Sequence, residues 1–246
     1  MLSYERFSYV YDRLMEDAPY DEWAKLVMNE RKAGKVLDLG CGTGECSIRL
    51  AEAGYDVTAV DLSEHMLSVA QEKAIASKLP IQFIQQDMRE LETGDLYDVV
   101  TIFCDSLNYV TDREGVQSVL NRAFTHLKPG GVLLFDVHSL YKMDHLFIGQ
   151  TFADNQEDVS YIWHSFAGEE SGAVEHELSF FLENEDGLYE RFDEIHLQRT
   201  FEIDEYITWL SYSGFTALSI TADFTEEEPF DSAERIFFKA FKPQKG

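Results

Sequence analysis

Gly40, Gly42 and Gly44 punctuate the stretch Gly40-Cys41-Gly42-Thr43-Gly44, which follows the apolar run 36–39 and leads into a helical pattern beginning near Glu45. Glycines at this spacing let the backbone turn tightly and let a ligand approach it with no Cβ in the way. A helix N-terminus after such a turn offers free N–H groups to a polar or anionic group. Asp38 precedes the first glycine, and Asp61 closes the next apolar run, 57–60. Asp61 stands 21 residues after Gly40, where a nucleoside-binding sheet places a carboxylate to accept hydrogen bonds from ribose hydroxyls. Asp87-Met88 follows the run 81–84, and Cys104-Asp105-Ser106-Leu107-Asn108 follows the run 98–103. The G-x-G-x-G spacing departs from the G-x-G-x-x-G of dinucleotide sites, which sets an NAD-dependent dehydrogenase aside as the weaker reading.

These carboxylates need a sheet that brings strand ends together. Helical patterns at 45–53 (closed by Gly54), 63–76 and 112–127 alternate with the apolar runs. In the last of them Val116, Val119, Leu120, Ala123, Phe124 and Leu127 make one apolar face. The alternation predicts a parallel sheet covered on both sides. A turn at Leu127-Lys-Pro-Gly-Gly131 leads into a fifth strand, 132–136. The rhythm then changes to β-branched and aromatic stretches at 159–166, 174–183 and 189–199, with Asp186-Gly187 as a hairpin turn. These predict an inserted antiparallel sheet. Helix 203–213, closed by Gly214, and strands 215–223 and 234–241 complete the chain. Residues 1–33 are helical in pattern and broken at Pro19.

The motif series from Val36 to Gly131, taken together, resembles that of the class I S-adenosylmethionine-dependent methyltransferases. The resemblance covers residues 34–136 most clearly and 200–242 more loosely. It implies an α/β fold: a Rossmann-like doubly wound sheet with a terminal antiparallel hairpin, plus an inserted antiparallel β-subdomain. The implied divisions are 1–33, an N-terminal helical lid; 34–136, the cofactor-binding core; 137–200, a β lid over the substrate; and 201–246, the remainder of the core. It also implies S-adenosylmethionine as cofactor. Gly40, Cys41, Gly42 and Gly44 would approach it by their backbone, and Asp38 would orient its amino group directly or through water. Asp61 would hold the ribose diol with Leu62 beside the adenine. Asp87 and Met88 would address the adenine ring, and Cys104 would lie near the reaction centre.

Asp105, Ser106 and Asn108 fall where this superfamily places the transferred methyl group; loop closure and helix capping are the alternative roles. The N-terminal aromatics Tyr4, Phe7, Tyr9 and Tyr11 suit either amphipathic packing or a lid. Tyr11 and Tyr20, each in a Tyr-Asp dipeptide, are the lid candidates, since an aromatic face attracts a sulfonium. A hydroxyl or amine nucleophile would need a proton acceptor. His138 and Tyr141 follow the fifth strand, and His164, His176 and His196 lie in the insertion. Asp105, Asn108, His138 and Tyr11 are therefore the catalytic candidates. The histidines share no metal-ligand spacing.

The chain has 246 residues, 20 basic against 46 acidic, for a net charge of −26. Such a field repels phosphate backbones, so nucleic acid is a disfavoured partner, as is an anionic membrane surface. Three scattered cysteines, no leader pattern and no long apolar run predict a reduced, cytoplasmic protein. The insertion 137–200 carries three Lys/Arg against 14 Asp/Glu. An acidic roof could attract an amine, although outward carboxylates give the same count. The expected activity is methyl transfer to an N or O nucleophile of a small molecule by a monomer or homodimer. An RNA- or protein-modifying methyltransferase, or a non-catalytic S-adenosylmethionine binder, is the alternative.

Overall fold

A computed structural model describes residues 3–156, 159–184 and 186–244, with the side chains of residues 3–7 and 9 outside the described set. The main sheet has seven strands: β1 (Lys35–Leu39), β2 (Asp56–Asp61), β3 (Gln82–Gln85), β4 (Tyr97–Ile102), β5 (Leu127–His138), β10 (Thr216–Ala222) and β11 (Arg235–Phe241). Their order is β10-β11-β5-β4-β1-β2-β3, with β1 to β5 paired in parallel and β11 running antiparallel to β5. The chain runs outward from β1 through β2 in one direction and from β4 through β5 in the other. The crevice between β1 and β4 is therefore the switch point at which open α/β sheets bind ligands.

Both faces of the sheet are covered, as the near-continuous apolar runs require. On one side Leu37, Val100, Leu133 and Phe135 pack against α5 (Arg113–His126) and α6 (Ile203–Ser213). On the other, Val36, Val57, Val99 and Leu134 pack against α2 (Tyr20–Glu30) and α3 (Glu45–Glu52). Val116, Val119, Leu120 and Ala123 of α5 are fully buried, the face read from their spacing. Truncating Leu120 to Ala would cost about 2–5 kcal/mol. Helix α4 (Glu64–Ala76) starts where the Ser63 hydroxyl accepts from the Met66 N–H, and α5 where Asp112 accepts from the Gly115 N–H. Gly214 ends α6 at φ +98°.

The insertion is a separate four-stranded antiparallel sheet in the order β6 (Thr151–Asn155), β7 (Val159–Ala167), β8 (Ala173–Glu183), β9 (Tyr189–Arg199). Its β8–β9 turn carries Gly187 at φ +75°, with the Asn184 side chain accepting from the Asp186 and Leu188 N–H groups. Helix α1 (Ser3–Leu14) lies on its inner face: Val10, Tyr11 and Leu14 pack with Val159, Leu178, Phe180 and Phe192. By contrast, α2 belongs to the main core, with Trp23 and Val27 buried beneath it. The helical stretch 1–33 thus serves two layers. The lid aromatics Tyr4, Phe7 and Tyr9 have side chains outside the described residues.

Two features depart from the sequence reading. Strand β5 begins at Leu127, because Gly130 and Gly131 exchange backbone bonds with Lys242 and carry the pairing through the expected turn. Strand β6 had no alternation to reveal it: as an edge strand bonded only to β7 it is mostly exposed. Among the described residues no helix is long and apolar enough to cross a membrane.

Candidate active site

The glycine turn leaves β1 and is bonded at once to the end of β2, where Gly40 and Cys41 both donate to the Val60 carbonyl. Gly40 has φ +69°, and a Cβ there would lie 2.6 Å from Ser106 Cβ. No side chain fits that space. Ser106 in turn donates to the Gly40 carbonyl at 3.0 Å, tying the loop after β4 to the turn. Asp61 Oδ2 accepts from the Gly42 N–H at 2.8 Å and Oδ1 from the Ser63 N–H at 2.9 Å. Burial raises the Asp61 pKa, and these N–H groups work against the rise. Gly44 caps α3 with no side chain to occupy its N-terminal N–H groups. The carboxylate, the open helix end and the close-approach glycines fit a nucleoside carrying polar substituents.

The remaining cofactor candidates differ in access. Asp38 is buried, its two oxygens accepting from Ser47 Oγ at 2.6 Å and Thr101 Oγ1 at 2.8 Å. Burial pushes its pKa up to about 6. It braces β1 against α3 and β4. Leu62 is 65% exposed beside the turn. Asp87 caps a short turn at Met88 and holds the Arg89 guanidinium through both oxygens, which keeps its pKa below the usual value. An adenine amino group would have to share it with Arg89. The Met88 methyl reaches the space above Gly40. Cys41 is half-buried and bonds only weakly, Sγ to the Gly42 carbonyl at 3.7 Å.

Beyond β4 the backbone enters the left-handed region twice in succession, at Cys104 (φ +54°) and Asp105 (φ +51°). Neither is glycine, so the strain needs an anchor. Asp136, fully buried on β5, provides it: Oδ1 accepts from the Cys104 N–H and Oδ2 from the Asp105 N–H, each at 3.0 Å. Trp23 Nε1 of α2 adds a third bond at 2.9 Å, and Arg235 Nη1 a fourth. The register explains the meeting: Arg235 on β11 stands directly opposite His138 on β5, two residues from Asp136.

Arg235 Nη2 also holds Asp105 Oδ1 at 2.9 Å, while Asp105 Oδ2 lies 3.3 Å from His138 Nε2 and accepts from Gln198 Nε2 at 2.9 Å. Burial alone would raise the Asp105 pKa, but His138 and Arg235 overrule it and hold the carboxyl well below the usual range. Burial lowers the His138 pKa, against the opposing pull of the Asp105 carboxylate. A carboxylate facing Nε2 places the imidazole proton there.

Asn108 is fully buried, its amide donating to the Arg199 carbonyl at 2.8 Å and accepting from the His138 N–H at 2.9 Å. Both ends of the amide are used by backbone, which makes it a positioning residue for His138. Tyr11 sits over the glycine turn, its ring 4.0 Å from where a Gly42 Cβ would be, and burial raises its pKa. Tyr20, the other lid candidate, is instead buried against Trp23. Tyr141 stacks on His145, and His164 bonds to Thr151 on the exposed face of the insertion.

The roof meets the floor directly. Gln198 of β9 reaches Asp105, and Tyr109 faces His196 at 3.2 Å. Helix α1 is fastened to the glycine turn by Asp12, which accepts from Thr43 Oγ1 and pairs with Lys73 at 2.6 Å. Arg235, Asp136 and Gln198 were not among the sequence candidates. The one signal for Arg235 was a cation opening the apolar strand Arg-Ile-Phe-Phe.

Residues 36–131 match the family described as "methyltransferase domain". The chain is 51% identical to a protein named as a methyltransferase, without a stated acceptor, from Geobacillus sp. (strain WCH70), over 98% of this chain and all of that one. It is 52% identical to the similarly named YqeM of Bacillus subtilis (strain 168), over 97% of each. Among solved structures, a S-adenosylmethionine-dependent methyltransferase from Clostridium acetobutylicum ATCC 824 superposes with a TM-score of 0.87 at 28% identity, covering 98% of this chain and 99% of that one. S-adenosylmethionine-bound CalS10 from Micromonospora echinaspora, an amino pentose methyltransferase, shares the fold with a TM-score of 0.70 at 20% identity, covering 91% of this chain and 89% of its own.

Proposed function

The chain belongs to the class I S-adenosylmethionine-dependent methyltransferases, and we propose that it methylates an N or O nucleophile of a small molecule, releasing S-adenosylhomocysteine. The observation that carries this reading is the closed roof. With Gln198 bonded to Asp105 and α1 fastened to the glycine turn, the inserted sheet and the N-terminal helix both cover the candidate reaction centre. A single small molecule suits that enclosure better than a folded polymer does. The net charge of −26 argues in the same direction against nucleic acid. That CalS10 is an amino pentose methyltransferase agrees with a small acceptor.

S-adenosylmethionine, when bound, supplies a methyl carbon made electrophilic by its sulfonium. The protein's task is to orient the nucleophile, exclude water and take up a proton. In this reading Asp61 holds the ribose hydroxyls, Leu62 and Met88 flank the adenine, and Asp87 accepts from its amino group in competition with Arg89. Gly40 and Gly42 give the cofactor its close approach, and Asp38 acts through its hydroxyl partners. Tyr11 turns its ring toward the sulfonium, and Cys104, Asp105 and His138 border the acceptor. Orientation of two reactants is worth about 7–11 kcal/mol, so most of these residues are placing groups.

The test is transfer of labelled methyl from S-adenosylmethionine into a bacterial extract separated into small molecules, protein and RNA. Label in the small-molecule fraction is the expected result. Label confined to protein or RNA contradicts it.

A further inference from the structure

Asp12 stands in the last turn of α1, where the helix dipole disfavours a carboxylate. Two partners outside the helix offset that cost. Oδ1 accepts from the Thr43 hydroxyl, within the glycine turn, and Oδ2 pairs with Lys73 Nζ of α4 at 2.6 Å. Thr43 is buried, and a buried hydroxyl needs such an acceptor. Lys73 is shared at the same distance with Glu45, the first residue of α3. Glu45 in turn holds Arg49, and Arg49 reaches Asp21 of α2 at 2.7 Å. The side chains of Asp12, Lys73 and Glu45 are half-buried, so solvent screens this chain of charges only in part.

These bonds fix what lies over the turn. Tyr11, next to Asp12, has a ring carbon 4.0 Å from where a Gly42 Cβ would stand. A ligand drawn to the Gly42 backbone meets that ring. Val10, Tyr11 and Leu14 pack with Val159, Leu178, Phe180 and Phe192 of the inserted sheet, whereas Met15 and Ala18 pack with the main core. The change of partner falls in the stretch 15–19, which ends at Pro19, a residue with no N–H to continue a helix. Helix α1 therefore belongs with the inserted sheet. The Asp12 bonds cross from that layer to the one that carries the glycine turn.

We propose that Asp12 is a positioning residue: it latches α1 across the glycine turn, and release of the latch is the step through which S-adenosylmethionine enters and S-adenosylhomocysteine leaves. This rests on the reading that the cofactor binds at that turn. Thr43 and Lys73 are protein groups, so the latch holds equally well with or without cofactor beneath it. Opening is then a step common to entry and exit. Weakening the latch speeds both alike and leaves the affinity near its native value. A residue that touched the cofactor would instead change the exit rate and the affinity together.

The experiment measures association and dissociation of S-adenosylhomocysteine by stopped-flow tryptophan fluorescence, on the full-length protein and its variants. Asp12→Ala removes both bonds while keeping a residue of high helix propensity in α1. Thr43→Val removes the hydroxyl, and Thr43→Ser keeps it. Lys73→Met breaks the ion pair from α4, apart from both α1 and the turn, and serves where Asp12→Ala fails to fold. In Asp12→Ala both rates should rise about tenfold, the worth of one hydrogen bond to a charged group, with the dissociation constant nearly unchanged. Thr43→Val and Lys73→Met should shift both rates in the same sense, and Thr43→Ser should keep the native rates. Adding Lys73→Met to Asp12→Ala should bring no further rise, because the two residues act through one pair. Unchanged rates in folded variants overturn the latch, as does weakened affinity at a native association rate, which would make Asp12 a cofactor contact. Failure of the native protein to bind S-adenosylhomocysteine overturns the underlying reading and the latch with it.

Discussion

Asp38 and Asp61 stand at the ends of neighbouring strands, yet their surroundings assign them different work. Asp61 is only partly buried and accepts from the Gly42 and Ser63 N–H groups, whereas Asp38 is buried between two hydroxyls. Sequence could place both carboxylates at the glycine turn, because strand length and turn spacing are local properties. It could not show that Ser47 and Thr101 would close over Asp38, since that depends on how α3 and β4 pack. The enclosure has a measurable consequence. Asp38 should titrate near pH 6, about two units above an unperturbed aspartate. It binds more protons folded than unfolded between those values, so its contribution to stability falls as pH rises from about 4 to about 6. Carboxyl-carbon NMR should show one aspartate titrating there, absent in Asp38→Asn; titration near pH 4 would contradict the buried geometry.

At the scale of elements, the cluster of Asp136, Arg235, Asp105 and Trp23 joins α2, β5, β11 and the loop after β4. It lets two consecutive non-glycine residues remain left-handed at the reaction centre. Asp105 and His138 were legible because they end parallel strands. Arg235, which holds Asp105 in place, was not, because it follows Asp136 by 99 residues and meets it only through the β5–β11 register. Arg235→Ala leaves two buried carboxylates short of a cation and should destabilise the protein by about 3–5 kcal/mol in urea unfolding. A loss under about 1 kcal/mol would mean that the cluster is not the anchor. The Asp105 pKa is depressed by folding, so its contribution is present above about pH 4 and lost as pH falls below it. Asp105→Asn should therefore flatten the acid limb of the stability profile; an unchanged limb would contradict the depressed value.

For the whole molecule, the alternation of strands and helices foretold the doubly wound sheet, and the β-branched stretches foretold the inserted sheet. The edge strand β6 and the seating of α1 on the insertion were hidden, because each depends on contacts between segments distant in sequence. Charge was legible as totals for the chain and for residues 137–200, but not as a choice of face. On β8 and β9 the register sets Glu175, Glu177 and Asp193 on the same face as the exposed Ile195 and Leu197, opposite the face bearing His176 and Gln198. Most of the acidity of the roof therefore points to solvent. KM for the methyl acceptor should stay constant as salt rises across the range in which exposed charges become screened; a marked rise in KM would restore attraction of a cationic amine. The central claim is that the crevice between β1 and β4 binds the cofactor through Asp61. Calorimetric titration with S-adenosylmethionine and S-adenosylhomocysteine tests it most directly, on the native protein and on Asp61→Ala. Loss of a charged hydrogen-bond acceptor corresponds to about ten- to a hundredfold in affinity. Binding of both ligands, weakened by that factor in Asp61→Ala, is the expected result; no binding, or equal binding by the variant, would contradict it.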